Sequence, residues 1–166
     1  MSNQERRWLA ASIRDQLLPA LYARGFESAA LTDQEKKGEL PTAYPFGRLR
    51  RARGSGIDVA EIQLARHGLP AFRISTGVVP SGGIEHPAVG HVPAEQVWSA
   101  HLPRHFVLYQ VPFLQRWFSL WHWPRRQVAQ SDVTALVENV TADVVPEIED
   151  ALREGRCGKH VKLMGK

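Results

Sequence analysis

The sequence predicts an α+β protein. It would be a single domain with a mainly antiparallel sheet of about four to five strands, and N- and C-terminal helices packed on one face. Three observations carry this. The two ends of the chain repeat apolar residues every three or four positions, the spacing of a helix with one buried face. The stretch Ile57 to Val79 instead alternates with a period of two and turns back on itself at His67-Gly68. Strand-like runs flank that stretch, so the helices are segregated to the chain ends, as in α+β layers.

In chain order, Gln4 to Arg24 is the first helix, with Trp8, Leu9, Ile13, Gln16, Leu17, Ala20 and Leu21 as its stripe. Gly25 follows as the residue that can take the left-handed turn, and Phe26 is expected to fold back onto the helix. Pro19 should kink or end the helix near Leu18, because an interior proline costs up to about 3 kcal/mol. Glu27 to Tyr44 shows no sustained period and reads as an exposed connection, with one helical turn around Thr32 to Lys37. Phe46 to Arg53 is the first strand, stopped by Gly54-Ser55-Gly56.

The central hairpin can be placed in register. A two-residue loop would set Gln63 opposite Phe72 and bury polar against apolar. A three-residue loop, His67-Gly68-Leu69, pairs Leu64 with Phe72 and Ile62 with Ile74. It also gathers Glu61, Gln63, Arg73 and Ser75 on the other face. A one-residue slip flips every side chain, so the second register is expected.

Pro80 to Pro93 is rich in Gly and Pro and reads as a long loop without regular structure. Pro93 is placed to start a short helix, Ala94 to His101. Phe106 to Val111 and Gln115 to Trp123 read as two further strands hinged at Pro112. If Phe118 and Leu120 point into the core, Trp117 and Trp121 stand on the opposite face. Ser131 is the expected N-cap of the last helix, whose stripe runs from Val133 to Leu152 and ends at Gly155. Pro146 should bend or split that helix. The domain then spans residues 1–155, and 156–166 form a basic tail expected to fray.

With 166 residues the chain is long enough for one sizeable core. The net charge of +4 permits a nucleic acid, an anionic membrane or an acidic protein as partner and requires none of them. The single cysteine, Cys157, excludes an internal disulfide framework and suits a reducing cytosol. The apolar run after Arg6-Arg7 ends at Ser12, too early for a signal sequence. Pro112, Arg116 and two glutamines interrupt Phe106 to Trp123, which therefore is no membrane span. A cytoplasmic location follows as the expectation.

Leu17-Leu18-Pro19 leading to Arg24-Gly25-Phe26 lines up with a family pattern. So do Glu61-Ile62-Gln63, the run Phe72 to Val78, Arg116-Trp117-Phe118, and Val144-Val145-Pro146 in the last helix. Taken in this order, they resemble the bacterial "domain of unknown function 4304" family of small α+β proteins, over about Ala10 to Leu152. The loop from Pro80 to His105 is longer and richer in Gly, Pro and His than that pattern. The resemblance implies the fold and brings no catalytic residues with it.

For chemistry, the second sheet face is the strongest composite: Arg48, Arg50, Glu61, Gln63, Arg73, Arg116, Trp117 and Trp121. Arginine beside tryptophan suits anionic or aromatic ligands and also marks protein interfaces. The alternative is that the tryptophans pack under the long loop as a second small core. His86, His91 and His101, with His105 nearby, are the candidate metal ligands, although Pro103 breaks a helical His101/His105 pair and no spacing is diagnostic. Gly54-Ser55-Gly56 and Ser81-Gly82-Gly83 lack the strand-to-helix context of a phosphate loop and read as turns. No nucleophile motif is present, so the sequence makes no positive case for an enzyme and implies no cofactor. The expected function is a non-enzymatic protein-binding module of accessory or immunity type. The alternatives are nucleic-acid or anionic-ligand binding through the Arg/Trp face, and a metal-dependent hydrolase built on the loop histidines.

Overall fold

The computed structural model describes residues 3–120 and 127–165. Its first element is helix α1 (Asn3–Ser12), which runs through a π-helical turn, Ile13–Leu17, into α2 (Leu18–Tyr22). Pro19 explains the wide turn. It cannot donate an amide hydrogen, and the Leu18 N–H bonds to the Ile13 carbonyl five residues back. The expected break is thus absorbed within a continuous helical run. Gly25 takes a left-handed φ of 87°, and the Phe26 N–H reaches the Leu21 carbonyl at 3.2 Å, which seats the Phe26 ring in the core.

The chain then forms β1 (Glu27–Ala29), a turn around Thr32–Lys37, helix α3 (Leu40–Ala43) and β2 (Arg48–Arg53). The long hairpin is β3 (Gly56–Leu64) and β4 (Ala71–Pro80). Its register pairs Leu64 with Phe72 and Ile62 with Ile74, as the alternation predicts. Next come β5 (Ile84–His86) and β6 (Gly90–Val92), single 3₁₀ turns at Ala94–Gln96 and Ser99–His101, and β7 (Arg104–Leu108). A 3₁₀ turn at Pro112–Leu114, β8 (Phe118–Ser119), helix α4 (Gln130–Glu154) and β9 (Val161–Gly165) complete the chain.

Among the described residues the main sheet has seven strands, all antiparallel, in the order β1-β2-β3-β4-β7-β9, with β8 paired beside β7 on β4. It is larger than the sequence suggests, for two reasons. Glu27–Ala29 is too short to show a period yet pairs with β2. The tail expected to fray supplies β9, where Val161 and Leu163 face Leu108 and Phe106 of β7. The Pro80–Pro93 stretch also holds a two-stranded hairpin, β5-β6, separate from the main sheet. Its three-residue strands are set by Gly83, at φ 79°, and by the turn at Pro87 to Gly90, too short for periodicity to betray them. The predicted helix Ala94 to His101 exists only as two 3₁₀ turns, because Val97 and Trp98 are extended between them. The predicted strands around Pro112 shrink to β7 and β8 with a turn between, and Trp121 to Trp123 lie outside the described residues.

Helix α4 begins at Gln130 rather than after Ser131, and Asp132 Oδ2 accepts the Ala129 N–H at 3.0 Å. It passes Pro146 without splitting. Val144, Val145 and Ile148 are buried on both sides of the proline, and burying a large aliphatic side chain returns about 1.5–3 kcal/mol each. Helices α1, α2 and α4 share one core with Leu49, Ala60, Ile62, Leu64, Phe72, Ile74 and Leu108 of the sheet. The reverse face has a smaller core of Val59 and Val79 under Val92, Ala94, Val97 and Leu102. Segment 84–102 therefore roofs about half of the second sheet face.

Candidate functional site

The second face divides into a roofed half and a half built around Arg73. In the roofed half, Arg48 is 2% exposed, and its Nη1 donates to Glu35 Oε1 at 2.7 Å and to the Gln96 carbonyl at 3.2 Å. Trp98 Nε1 donates to the same Glu35 oxygen at 2.7 Å, and the Arg48 guanidinium stacks 5.0 Å from the Trp98 ring. Burial opposes the charge on Glu35. The Thr32 N–H, Trp98, the Thr32 hydroxyl and Arg48 together still hold its carboxylate below the usual range. Arg50 Nη1 reaches the Ala94 carbonyl at 3.3 Å.

Glu61 sits directly across the β2-β3 pair from Arg48 but bonds elsewhere. Its Oε1 accepts the Ser99 N–H at 2.7 Å and its Oε2 accepts the Ser99 hydroxyl at 2.6 Å. These bonds staple the roof to the sheet. Glu61 is 2% exposed, and burial pushes its pKa up to about 7 against the opposing pull of Ser99, Arg48 and Arg50.

That shift has a consequence for stability. The unfolded chain ionises Glu61 near the ordinary carboxyl pKa, while the folded chain keeps its proton to about pH 7. Between those values the unfolded state sheds a proton that the folded state retains, so stability falls as pH rises and levels off above 7. A shift of this size corresponds to about 3 kcal/mol. Urea unfolding at pH 4.5 and 7.5 should show Glu61→Gln losing less stability than the parent over this window, by about that amount. Parallel pH profiles for the two proteins would contradict it.

In the other half, Arg73 Nε donates to Gln63 Oε1 at 2.8 Å and Nη1 to the Tyr109 hydroxyl at 3.0 Å. Its guanidinium lies 4.7 Å from the Trp117 ring and 5.9 Å from that of Tyr109. Phe118 is buried against Phe72, as expected, and Trp117 therefore meets Arg73 on the second face. Just before Trp117, the chain projects a tight turn. The Gln110 and Val111 N–H groups bond to the Arg116 carbonyl, the Arg116 N–H returns to Val111, and Gln115 takes a left-handed φ of 50°. At its tip Phe113 is 80% exposed and Leu114 64%.

The expected eight-residue surface is thus split. Gln63, Arg73 and Trp117 come together; Arg48, Arg50 and Glu61 are drawn under the roof; and Arg116 helps form the turn through its backbone. Trp121 lies outside the described residues. The other basic residues of β2 are committed inside the fold. Arg51 pairs with Asp58 and Glu149, and Arg53 Nε lies 3.0 Å from Asp58 Oδ1 without hydrogen-bond alignment. His91 pairs with Glu85 at 2.8 Å, and the His86 and His101 rings meet edge-on at 5.4 Å. Burial first, and then His86 and Arg48, lower the pKa of His101. Among the described residues no three His, Cys, Asp or Glu side chains are arranged to hold a metal ion. No described helix is long and apolar enough to cross a membrane.

Sequence reasoning missed Glu35, Tyr44, Trp98 and Ser99 as the partners of the second face, and Phe113-Leu114 as a projecting tip. For the tip there was a signal: Pro112 followed by two large apolar residues and Gln115-Arg116 is turn-like punctuation rather than a strand.

These features define an α+β protein with a seven-stranded main sheet among the described residues, one face packed by helices and the other roofed in part by segment 84–102. No protein-family model, curated protein or solved structure matches the chain.

Proposed function

We propose that the protein is a non-enzymatic binding module that engages another protein through the Phe113-Leu114 tip and the adjoining Arg73–Trp117 cluster. The observation that carries this reading is the tip itself, two adjacent large apolar side chains held in solvent by a backbone-bonded turn. An apolar patch that is exposed and conformationally fixed suits a docking surface, because the tip itself loses little freedom on binding. Arginine stacked on tryptophan beside it is the composition of interface hot spots. The partner surface would offer an apolar recess to Phe113 and Leu114, and carbonyl or carboxylate groups to Arg73.

An accessory or immunity-type role in the cytosol and the likeness to the domain of unknown function 4304 family belong to the same proposal. Binding of nucleic acid is the weaker alternative, since Arg48, Arg51 and Arg53 already neutralise internal carboxylates. Releasing them to phosphates would cost those ion pairs.

The test uses immobilised full-length protein and the Phe113→Ser/Leu114→Ser double variant in extracts of the source cell. The expected result is one stoichiometric protein partner that survives high salt on the parent and is lost from the variant. An apolar contact resists salt, whereas phosphate neutralisation does not. A partner held equally by both proteins, or salt-labile nucleic acid in its place, would overturn the reading.

A further inference from the structure

Beside the roof lies a cleft of about 630 Å³, within the size range of small-molecule sites. Its walls come from three separate parts of the chain: the Thr32–Tyr44 connection, the β5-β6 hairpin, and the 3₁₀ turns, with Glu61 of β3 at the floor. We propose that this cleft binds a small organic cation, an ammonium or amidinium group seated on Glu61 with its body along Tyr44.

Among the described residues Glu61 is a buried carboxylate without a direct ion pair. Buried charges in proteins are ordinarily paired. Asp58 and Glu149, also buried, each meet the Arg51 guanidinium, at 2.8 and 2.6 Å. Glu35 meets Arg48. Glu61 is as buried as Asp58, yet among the described residues it bonds only to the neutral groups of Ser99. Each carboxylate oxygen has about two acceptor sites and Ser99 fills one on each, so Glu61 retains acceptors for a forked N–H donor.

The cleft walls carry two carboxylates and two histidines but no lysine or arginine. Glu35 already has its counter-ion in Arg48, with Trp98 on the same oxygen and the Thr32 N–H on the other, which leaves Glu61 as the carboxylate without a direct ion pair. Tyr44 stands beside it, its ring 4.8 Å from Trp98 and tilted by 58°. One side of Trp98 is occupied by Arg48, so this aromatic wall already holds a cation, and the half-buried Tyr44 ring offers the second place. Leu40, Val89 and Val92 supply apolar contact for the ligand body.

The charges facing Glu61 set the pH dependence. Arg48 and Arg50 act on it from β2 and Tyr44 from the end of α3, Ser99 bonds it from the roof, and Glu35, His91 and His101 line the same cleft. Both guanidinium groups favour the carboxylate form. Arg48 is paired with Glu35 and bonded to the Gln96 carbonyl. Arg50 bonds the Ala94 carbonyl and keeps its buried Nε and Nη2 without a hydrogen-bond partner among the described residues, so a bound cation has to share Glu61 with the charge of Arg50. Burial lowers the His101 pKa, so at pH 7 and above that ring is neutral and does not repel a cation. Glu61 must ionise to pair with the ligand. Since its pKa lies at about 7, binding below that value releases a proton, and affinity falls about tenfold per pH unit.

Benzamidine and its neutral isostere benzamide form the test pair, measured by calorimetry at pH 6, 7 and 8. The expected result is benzamidine binding about tenfold or more tighter than benzamide at pH 8, with that preference shrinking toward pH 6. Proton release at pH 6 should appear as a dependence of the heat on buffer ionisation. Glu61→Gln keeps an acceptor for Ser99 and should abolish the preference. Tyr44→Leu should weaken binding without moving its pH dependence. Equal binding of the two probes, or an unchanged benzamidine affinity in Glu61→Gln, would overturn the proposal. So would failure of benzamidine, phenethylammonium and tetramethylammonium all to bind at about 10 mM.

Discussion

Arg51→Met should destabilise the protein by about 3–5 kcal/mol at neutral pH, and by clearly less near pH 4. Arg51 joins the sheet to helix α4. Its Nη2 donates to Asp58 Oδ2 at 2.8 Å and its Nη1 to Glu149 Oε1 at 2.6 Å, while the guanidinium lies 4.5 Å from the Phe26 ring. Burial opposes its charge, but the hydrogen bonds it donates to Glu149 and Asp58 outweigh that and raise its pKa. Methionine fills much of the same volume and keeps the contact with Phe26. What it removes is the shared cation between two buried carboxylates.

Asp58 and Glu149 would then repel each other in a poorly solvated space, with only Arg53 and Arg153 at their edges. Two such carboxylates hold protons more tightly in the folded state than in the unfolded one, so protonation at low pH relieves the variant. The sign separates electrostatics from packing, since a cavity or lost van der Waals contact costs the same at both pH values. Urea midpoints at pH 4 and 7 measure it, and an equal loss at the two would contradict the charge account. Replacing Arg51, Asp58 and Glu149 together with Met, Leu and Leu should recover most of the loss, because the apolar trio removes the buried charges and leaves only the partly exposed Arg53 and Arg153 to turn to solvent.

The elements legible in the sequence are those whose local pattern already agrees with the tertiary packing. The β3-β4 register is one. Ile62, Leu64, Phe72 and Ile74 alternate strictly, and only one pairing buries them together. Gly25-Phe26 is another, where a residue free to turn left-handed is followed by one that must be buried. The second face was legible only in part, because what covers it is remote in sequence. Glu61 alternates out of the helix-packed core and so reads as a surface acid. Its burial is decided by Ser99, 38 positions later, and nothing local to β3 announces that contact. Arg48 is hidden in the same way by Glu35 and Trp98. Strand β9 does carry a local signal, since Val161 and Leu163 alternate with Lys162. The surrounding lysines and glycines outweigh it in any composition-based reading, and only pairing with β7 decides it.

Ile74→Ala should cost about 2–5 kcal/mol, and Arg73→Ala, one position away, about 1–2 kcal/mol. The contrast follows from the two faces of β4. Ile74 is fully buried among Ile62, Leu108 and the helices, so truncation loses transfer energy and leaves a cavity that rigid neighbours on both sheet and helix cannot fill. Arg73 on the other face gives up hydrogen bonds to Gln63 and Tyr109 and its stacking on Trp117, each of which water can partly replace. Chemical denaturation with an unchanged m-value would measure both. Small and equal losses would mean that β4 does not sit in this register. A larger loss for Arg73 than for Ile74 would place the principal core on the Arg73 side of the sheet.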